Sequence, residues 1–346
     1  MRKLTMMMAS AALVLSLAAC STNKGNETVA ETATTASQTA ETTAAEESKE
    51  TAAPQAAPET IVVSTLNGAK ETIELEVPYD PQRVAVLDMA VLDMLDNWNL
   101  GDRIVGMPKA QKIDYLMKYN DKEEIVNLGT VKEVDMEALM ETEPDLIFIG
   151  GRLSSQYDAL SEIAPVVFVS NDYEKGIVQS TKDNAAMIAS IFGKEDLAKE
   201  QTDAFDERIA TLAKAAQGKT AVIGMVTSSN FSTLGNGSRG SLIGREAGFT
   251  NLAVDVDSTH GNESSFELLV QLDPDYIFVL DRDMAIQTEG AKLAQEIMEN
   301  ELVQKTKAYQ NGNIVYLTPS VWYLAEGGIT AMDIMIQDLE NGLGIS

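Results

Sequence analysis

Met136-Glu-Ala-Leu-Met-Glu-Thr-Glu-Pro-Asp-Leu-Ile-Phe-Ile-Gly-Gly-Arg152 and Phe266-Glu-Leu-Leu-Val-Gln-Leu-Asp-Pro-Asp-Tyr-Ile-Phe-Val-Leu-Asp-Arg282 align without gaps. In both stretches an amphipathic segment runs into Pro-Asp, then a short apolar run, then an arginine. Proline breaks the preceding helix, and an apolar run bounded by turn signals reads as a buried strand. Helix, turn and buried strand form the unit of a parallel sheet covered by helices. Its recurrence predicts two similar α/β lobes. Ligands of open α/β sheets bind beyond the carboxyl ends of the strands, where Arg152 and Arg282 stand, one per lobe. They are expected to face each other across a cleft.

The surrounding sequence extends the pattern. Arg83 to Leu87 reads as a short buried strand and Met89 to Leu95 as a helix. Strands follow at Ile104–Gly106, Asp145–Ile149 and Val166–Val169. Around Thr181 the alternation stops, and Thr181–Phe192 and Glu195–Ala216 read as helices separated by Gly193. Strand–helix alternation resumes at Thr220–Val226. These readings give an N-terminal lobe over residues 60–173, an inter-lobe helix over 174–194 and a C-terminal lobe over 195–346.

Ahead of the lobes, Arg2 and Lys3 precede an uncharged apolar run from Leu4 to Ala19, which ends at Cys20, the sole cysteine of the chain. A basic start, a short apolar stretch and small residues at the cut site read as a secretory signal over residues 1–19. Leu17-Ala-Ala-Cys20 resembles a bacterial lipoprotein box, which implies a lipid thioether on Cys20. One cysteine in an exported chain forms no internal disulfide, so another use is expected. From Ser21 to Glu59 the chain is rich in Thr, Ala, Glu and Ser and has no aromatic residue, Leu or Ile. Such a segment buries too little apolar surface to offset its ordering entropy and is expected to tether the lobes, over roughly 35 Å as a flexible coil. The expected location is the extracytoplasmic face of the cell membrane, with the chain a monomer held by its lipid.

The formal charge is -27, which disfavours nucleic acid as a partner across the whole surface. An anionic ligand therefore needs a local cation cluster. Besides Arg152 and Arg282, Arg239 lies in the Gly- and Ser-rich loop from Ser228 to Gly240. Three guanidiniums suit an anion with several oxygen acceptors. Removing one is expected to leave folding nearly untouched, because it relieves repulsion among like charges. Lys132 lies in the N-lobe loop that corresponds to the surroundings of His260, the only histidine. Trp322 and Tyr323 follow the expected strand Ile314–Leu317 and point toward the same cleft. One histidine cannot build a bare zinc or manganese site.

The chain from about Thr60 to Ser346 resembles the solute-binding lipoproteins of ABC transporters that capture ferric siderophores, the class III periplasmic-binding-protein fold with a rigid inter-lobe helix. Within that class it is similar to binding proteins for catecholate siderophores of the petrobactin type. The motifs that carry the resemblance are Gly129-Thr-Val-Lys-Glu, Pro144-Asp-Leu-Ile-Phe-Ile-Gly-Gly-Arg152, Gly237-Ser-Arg239-Gly, Asp281-Arg282 and Trp322-Tyr-Leu-Ala-Glu-Gly-Gly328. The resemblance implies that Arg152, Arg239 and Arg282 surround a ferric complex with Lys132 beside it. It also implies that His260 and Tyr323 can reach iron when a siderophore leaves coordination positions open, and that no resident cofactor is needed. An ABC permease is the implied partner, docking on acidic patches for which Asp158, Glu162, Glu263 and Glu267 are candidates.

Two rival classes are weighed against this. Haem favours an axial Tyr or His with fewer arginines, and a corrinoid carries little charge; ferric citrate fits the arginines better. For a hydrolase, no GxSxG elbow, HExxH pair or Ser/His/Asp set is visible, and a lone histidine leaves most such mechanisms without a proton carrier.

Overall fold

The computed structural model describes residues 58–253, 261–263 and 265–345. The chain opens with an antiparallel hairpin of β1 (Thr60–Leu66) and β2 (Thr72–Pro78). The Asn67 side chain closes its turn by accepting from Ala69 and Glu71 N–H. Sequence reasoning passed over this hairpin, although Asn67-Gly68 between alternating segments is a strong turn signal.

Five short strands then build a wholly parallel sheet: β3 (Val84–Val86), β4 (Ile104–Met107), β5 (Val126–Asn127), β6 (Leu146–Ile149) and β7 (Val166–Phe168). Their spatial order is β5-β4-β3-β6-β7. From β3 the chain winds first to one side and then to the other, which leaves a switch-point crevice between β3 and β6. The hairpin is tied to β7 by Thr65, whose hydroxyl accepts from Phe168 N–H at 2.9 Å and donates to Phe168 C=O at 3.1 Å.

The second sheet holds β8 (Thr220–Thr227), β9 (Asn230–Thr233), β10 (Thr250–Asn251), β11 (Asn262–Glu263), β12 (Tyr276–Asp281) and β13 (Ile314–Tyr316). Its order is β11-β9-β8-β12-β13, with β10 also on β8. The pairs β8–β12, β12–β13 and β8–β10 are parallel, whereas β9 is antiparallel to both β8 and β11. The stretch from Ser228 to Gly240 is therefore not all loop, because Asn230–Thr233 turns back along β8.

The repeat holds at the level of individual bonds. Glu143 and Asp273, at matched positions before the Pro-Asp pairs, both take left-handed backbone at φ 43°. Asp145 then accepts from Gln82 and Arg83 N–H, and Asp275 accepts from Thr220 N–H. Each aspartate thus fastens the entry to the neighbouring parallel strand, β3 or β8. The Pro-Asp pairs are structural.

Two helices, Ile177–Phe192 and Glu195–Ala216, connect the sheets. The first begins four residues earlier than its apolar pattern suggested, because its N-terminus is capped from outside. Glu246 accepts from Ile177 and Val178 N–H at 3.0 and 2.9 Å. Gly176, at φ 91°, lets that carboxylate approach. A second cap runs the other way. Asp93, in the helix Met89–Asn97 and fully buried, accepts from Thr330 and Ala331 N–H at 2.9 and 2.8 Å and so caps the final helix, Ile329–Leu343. The N- and C-terminal halves therefore hold one another by reciprocal helix caps, each satisfying donors that a helix cannot pair internally. Among the described residues, no helix is long and apolar enough to cross a membrane.

Candidate functional site

The carboxyl ends of β3 and β6 deliver Asp88 and Arg152 to the N-terminal side of a cavity of about 480 Å³. Asp88 caps its helix by accepting from Ala90 and Val91 N–H. A Cβ at Gly150 would lie 2.1 Å from Asp88 Oδ2, which accounts for the first glycine of Gly150-Gly151. Burial pushes the Asp88 carboxyl above its ordinary range, against the pull of Arg152.

The opposite side is built by the segment Trp322–Gly328, and its centre is the Tyr323 ring. The guanidinium carbons of Arg239, Arg282 and Arg152 lie 4.6, 5.6 and 5.7 Å from that ring's centroid. Arg152 donates to the Tyr323 carbonyl at 3.0 Å, Arg282 Nε to the Tyr323 hydroxyl at 3.0 Å, and Arg239 to the Trp322 carbonyl at 2.7 Å. The two arginines that end the repeat thus grip opposite ends of one tyrosine, and the third approaches its face. Cations over an aromatic ring are attracted by its quadrupole, which offsets part of their mutual repulsion. Arg152, Arg239 and Tyr323 line the cavity with Lys132, whereas Arg282, expected to face Arg152 across the cleft, does not line it and meets it through the Tyr323 hydroxyl.

The surroundings of Arg239 correct one expectation. It is 8% exposed and pairs with the equally buried Glu326 at 3.5 Å. Tyr173 Oη donates to the same carboxylate oxygen at 2.7 Å, and Asn171 Nδ2 donates to the Glu326 carbonyl at 3.0 Å. Loss of Arg239 would leave a buried carboxylate without its counter-ion, so this arginine is not free of structural duty.

Trp322 departs from expectation as well. Its side chain is 1% exposed and its indole N–H donates to Asp338 at 2.8 Å, away from the cavity. Only its backbone carbonyl reaches the arginines. The turn's two glycines are explained by close approach: a Cβ at Gly327 would lie 2.7 Å from Asn171 Oδ1, and one at Gly328 would lie 2.6 Å from the Asp93 carboxyl.

His260 and Cys20 lie outside the described residues. Asp158, Glu162 and Glu267 are exposed, and Glu263 lies in β11. Tyr323 is 4% exposed, and its hydroxyl accepts from Arg282 Nε. Sequence reasoning missed Lys70, Asp88, Asn171, Tyr173 and Glu326, all of which line the cavity. Glu326 lay inside a recognised motif, but nothing in its spacing marked it as a buried counter-ion.

Residues 84–321 match the family described as periplasmic binding protein. The petrobactin-binding protein YclQ of Bacillus subtilis is 36% identical over 272 residues, spanning 78% of this chain and 84% of YclQ. The ferric-anguibactin-binding protein FatB of Vibrio anguillarum is 29% identical over 268 residues, 76% of this chain and 82% of FatB. Among solved structures, YclQ from Bacillus subtilis superposes with a TM-score of 0.77 at 34% identity, covering 83% of this chain and 99% of that one. The catecholate-siderophore binding protein VctP from Vibrio cholerae gives 0.74 at 29% identity, covering 81% and 100%.

Proposed function

The chain belongs to the periplasmic binding protein family, and from that premise we propose that it captures a ferric siderophore of catecholate type and hands it to an ABC permease. The family binds its ligands rather than transforming them. The observation that carries the reading is the convergence of three guanidiniums on Tyr323 beside a cavity that also holds Lys70 and Lys132. A ferric catecholate spreads negative charge over oxygens that accept from guanidinium forks, and in a partly desolvated cleft such pairs interact far more strongly than on a surface. Relatives named for petrobactin, ferric anguibactin and catecholate siderophores support a siderophore as the ligand, and VctP's name supports the catecholate class. The reciprocal caps favour small lobe movements over wide hinge closure.

The test is a binding titration against two ferric complexes of opposite character. A ferric tricatechol complex is expected to bind at least about a hundredfold more tightly than a ferric trihydroxamate, which is near neutral or cationic and gives the arginines little to hold. Equal affinities would remove the electrostatic basis of the reading. Ferric citrate serves as a third ligand, because it also presents anionic oxygens.

Lipid attachment at Cys20 would place the cleft at the outer face of the membrane, within reach of a permease. Expressed in a bacterium, Cys20→Ala protein is expected to leave the detergent phase once its signal is cleaved. Cleaved variant that still partitions like the wild type would disprove the anchor.

A further inference from the structure

Glu326 stands where an anion-binding cavity should exclude a carboxylate. It lines the same cavity as Arg152, Arg239, Lys70 and Lys132 and is 8% exposed. Its Oε2 is engaged by Tyr173 and Arg239. Its Oε1 is buried and has no hydrogen-bond partner among the described residues, and the same is true of Arg239 Nε. The bond from Asn171 to its carbonyl fixes the main chain that carries it. The charged and titratable groups around it are Arg239 after β9, Tyr173 after β7, Arg152 after β6 and Glu246 at the inter-lobe helix, with Asp88 across the cavity beside Arg152.

Granting that the cavity takes a multiply charged ferric complex, we propose that Glu326 takes up one proton from solvent at Oε1 as the ligand enters. The new O–H bond removes the negative charge that repels the ligand, and it frees Arg239 from its counter-ion. Burial already holds this carboxyl above its ordinary range, with Arg239 the main opposing influence. An incoming anion disfavours the charged form further and competes for Arg239. The complex then binds more protons than the free protein. Affinity accordingly rises as pH falls across the window between the free and bound pKa values, by up to about tenfold per pH unit.

The experiment is calorimetric titration with the ferric complex of a hexadentate tricatechol amide, whose oxygens are all held by iron. It is run at several pH values, each in two buffers of different ionisation enthalpy. The wild type is expected to take up protons on binding in the window between its free and bound pKa values, approaching one per complex, and Glu326→Gln none. On the alkaline side of that window the variant should bind about tenfold more tightly than the wild type, because it lacks the repelling charge, and the difference should close on acidification. Absence of proton uptake in the wild type, or equal uptake in both proteins, would overturn the proposal. Weaker binding by the variant at every pH would also overturn it and leave Glu326 as a positioning residue for Arg239. Should the variant melt early, a pH-independent wild-type affinity would be decisive against the proposal by itself. A complex that binds without proton exchange refutes this inference alone, whereas one that does not bind at all refutes the siderophore reading beneath it.

Discussion

Replacing Arg152 or Arg239 by alanine, one at a time, is expected to weaken binding of a ferric tricatechol complex by about ten- to a hundredfold each, the effect of losing one charge-assisted hydrogen bond. Replacing Arg282, which acts through the Tyr323 hydroxyl, is expected to weaken it less. The three variants should part company in stability. Arg282 is partly exposed and its near acid, Asp283, keeps the Ser228 N–H as a partner, so Arg282→Ala should melt close to the wild type. Arg239→Ala strands Glu326 in the interior and should melt lower at neutral pH, with recovery on acidification as Glu326 takes a proton. Paired titrations and thermal melts separate the two roles. Full affinity in all three variants would mean that the guanidiniums serve only to pack Tyr323.

Asp93→Ala is expected to cost several kcal/mol of stability, because it leaves buried N–H and O–H donors unsatisfied at about 1–3 kcal/mol each. Its carboxylate is bonded by Thr330 and Ala331 N–H, by Asn97 Nδ2 at 2.9 Å and by the Tyr115 hydroxyl at 2.5 Å. Burial lifts the Asp93 pKa to about 6, from an ordinary value of 3.8. The folded chain therefore takes up this proton before the unfolded chain does. The Asp93 contribution to stability grows as pH falls from about 6 toward about 4, and shrinks as pH rises through that window. Denaturant titrations at several pH values check both claims. Asp93→Asn should flatten that part of the profile, and an unchanged slope would assign the titration to another group.

The repeat decided the fold, and it was legible because Pro-Asp, buried strand and arginine stand at matched intervals. The two arginines on it could be placed at strand ends from sequence alone, since β6 and β12 are buried throughout and only their carboxyl ends open to a ligand. Tyr323 was legible as a neighbour of the cleft but not as the hub of three guanidiniums, because that role depends on side-chain directions across a tertiary contact. Trp322 was misplaced for a related reason: adjacent residues on a short helix point apart, and here one enters the cavity and the other the core. Glu326, Asp93 and Glu246 were hidden for a different cause. In a strongly acidic chain one more carboxylate carries no signal, and burial alone sets these three apart.

Phe168 lies on β7, the margin of the N-terminal sheet, where an exposed row of N–H and C=O groups would be a template for a strand from another molecule. Thr65 occupies both groups of Phe168 with one hydroxyl. The hairpin that carries Thr65 thus closes this margin, at Phe168, to a strand from another molecule.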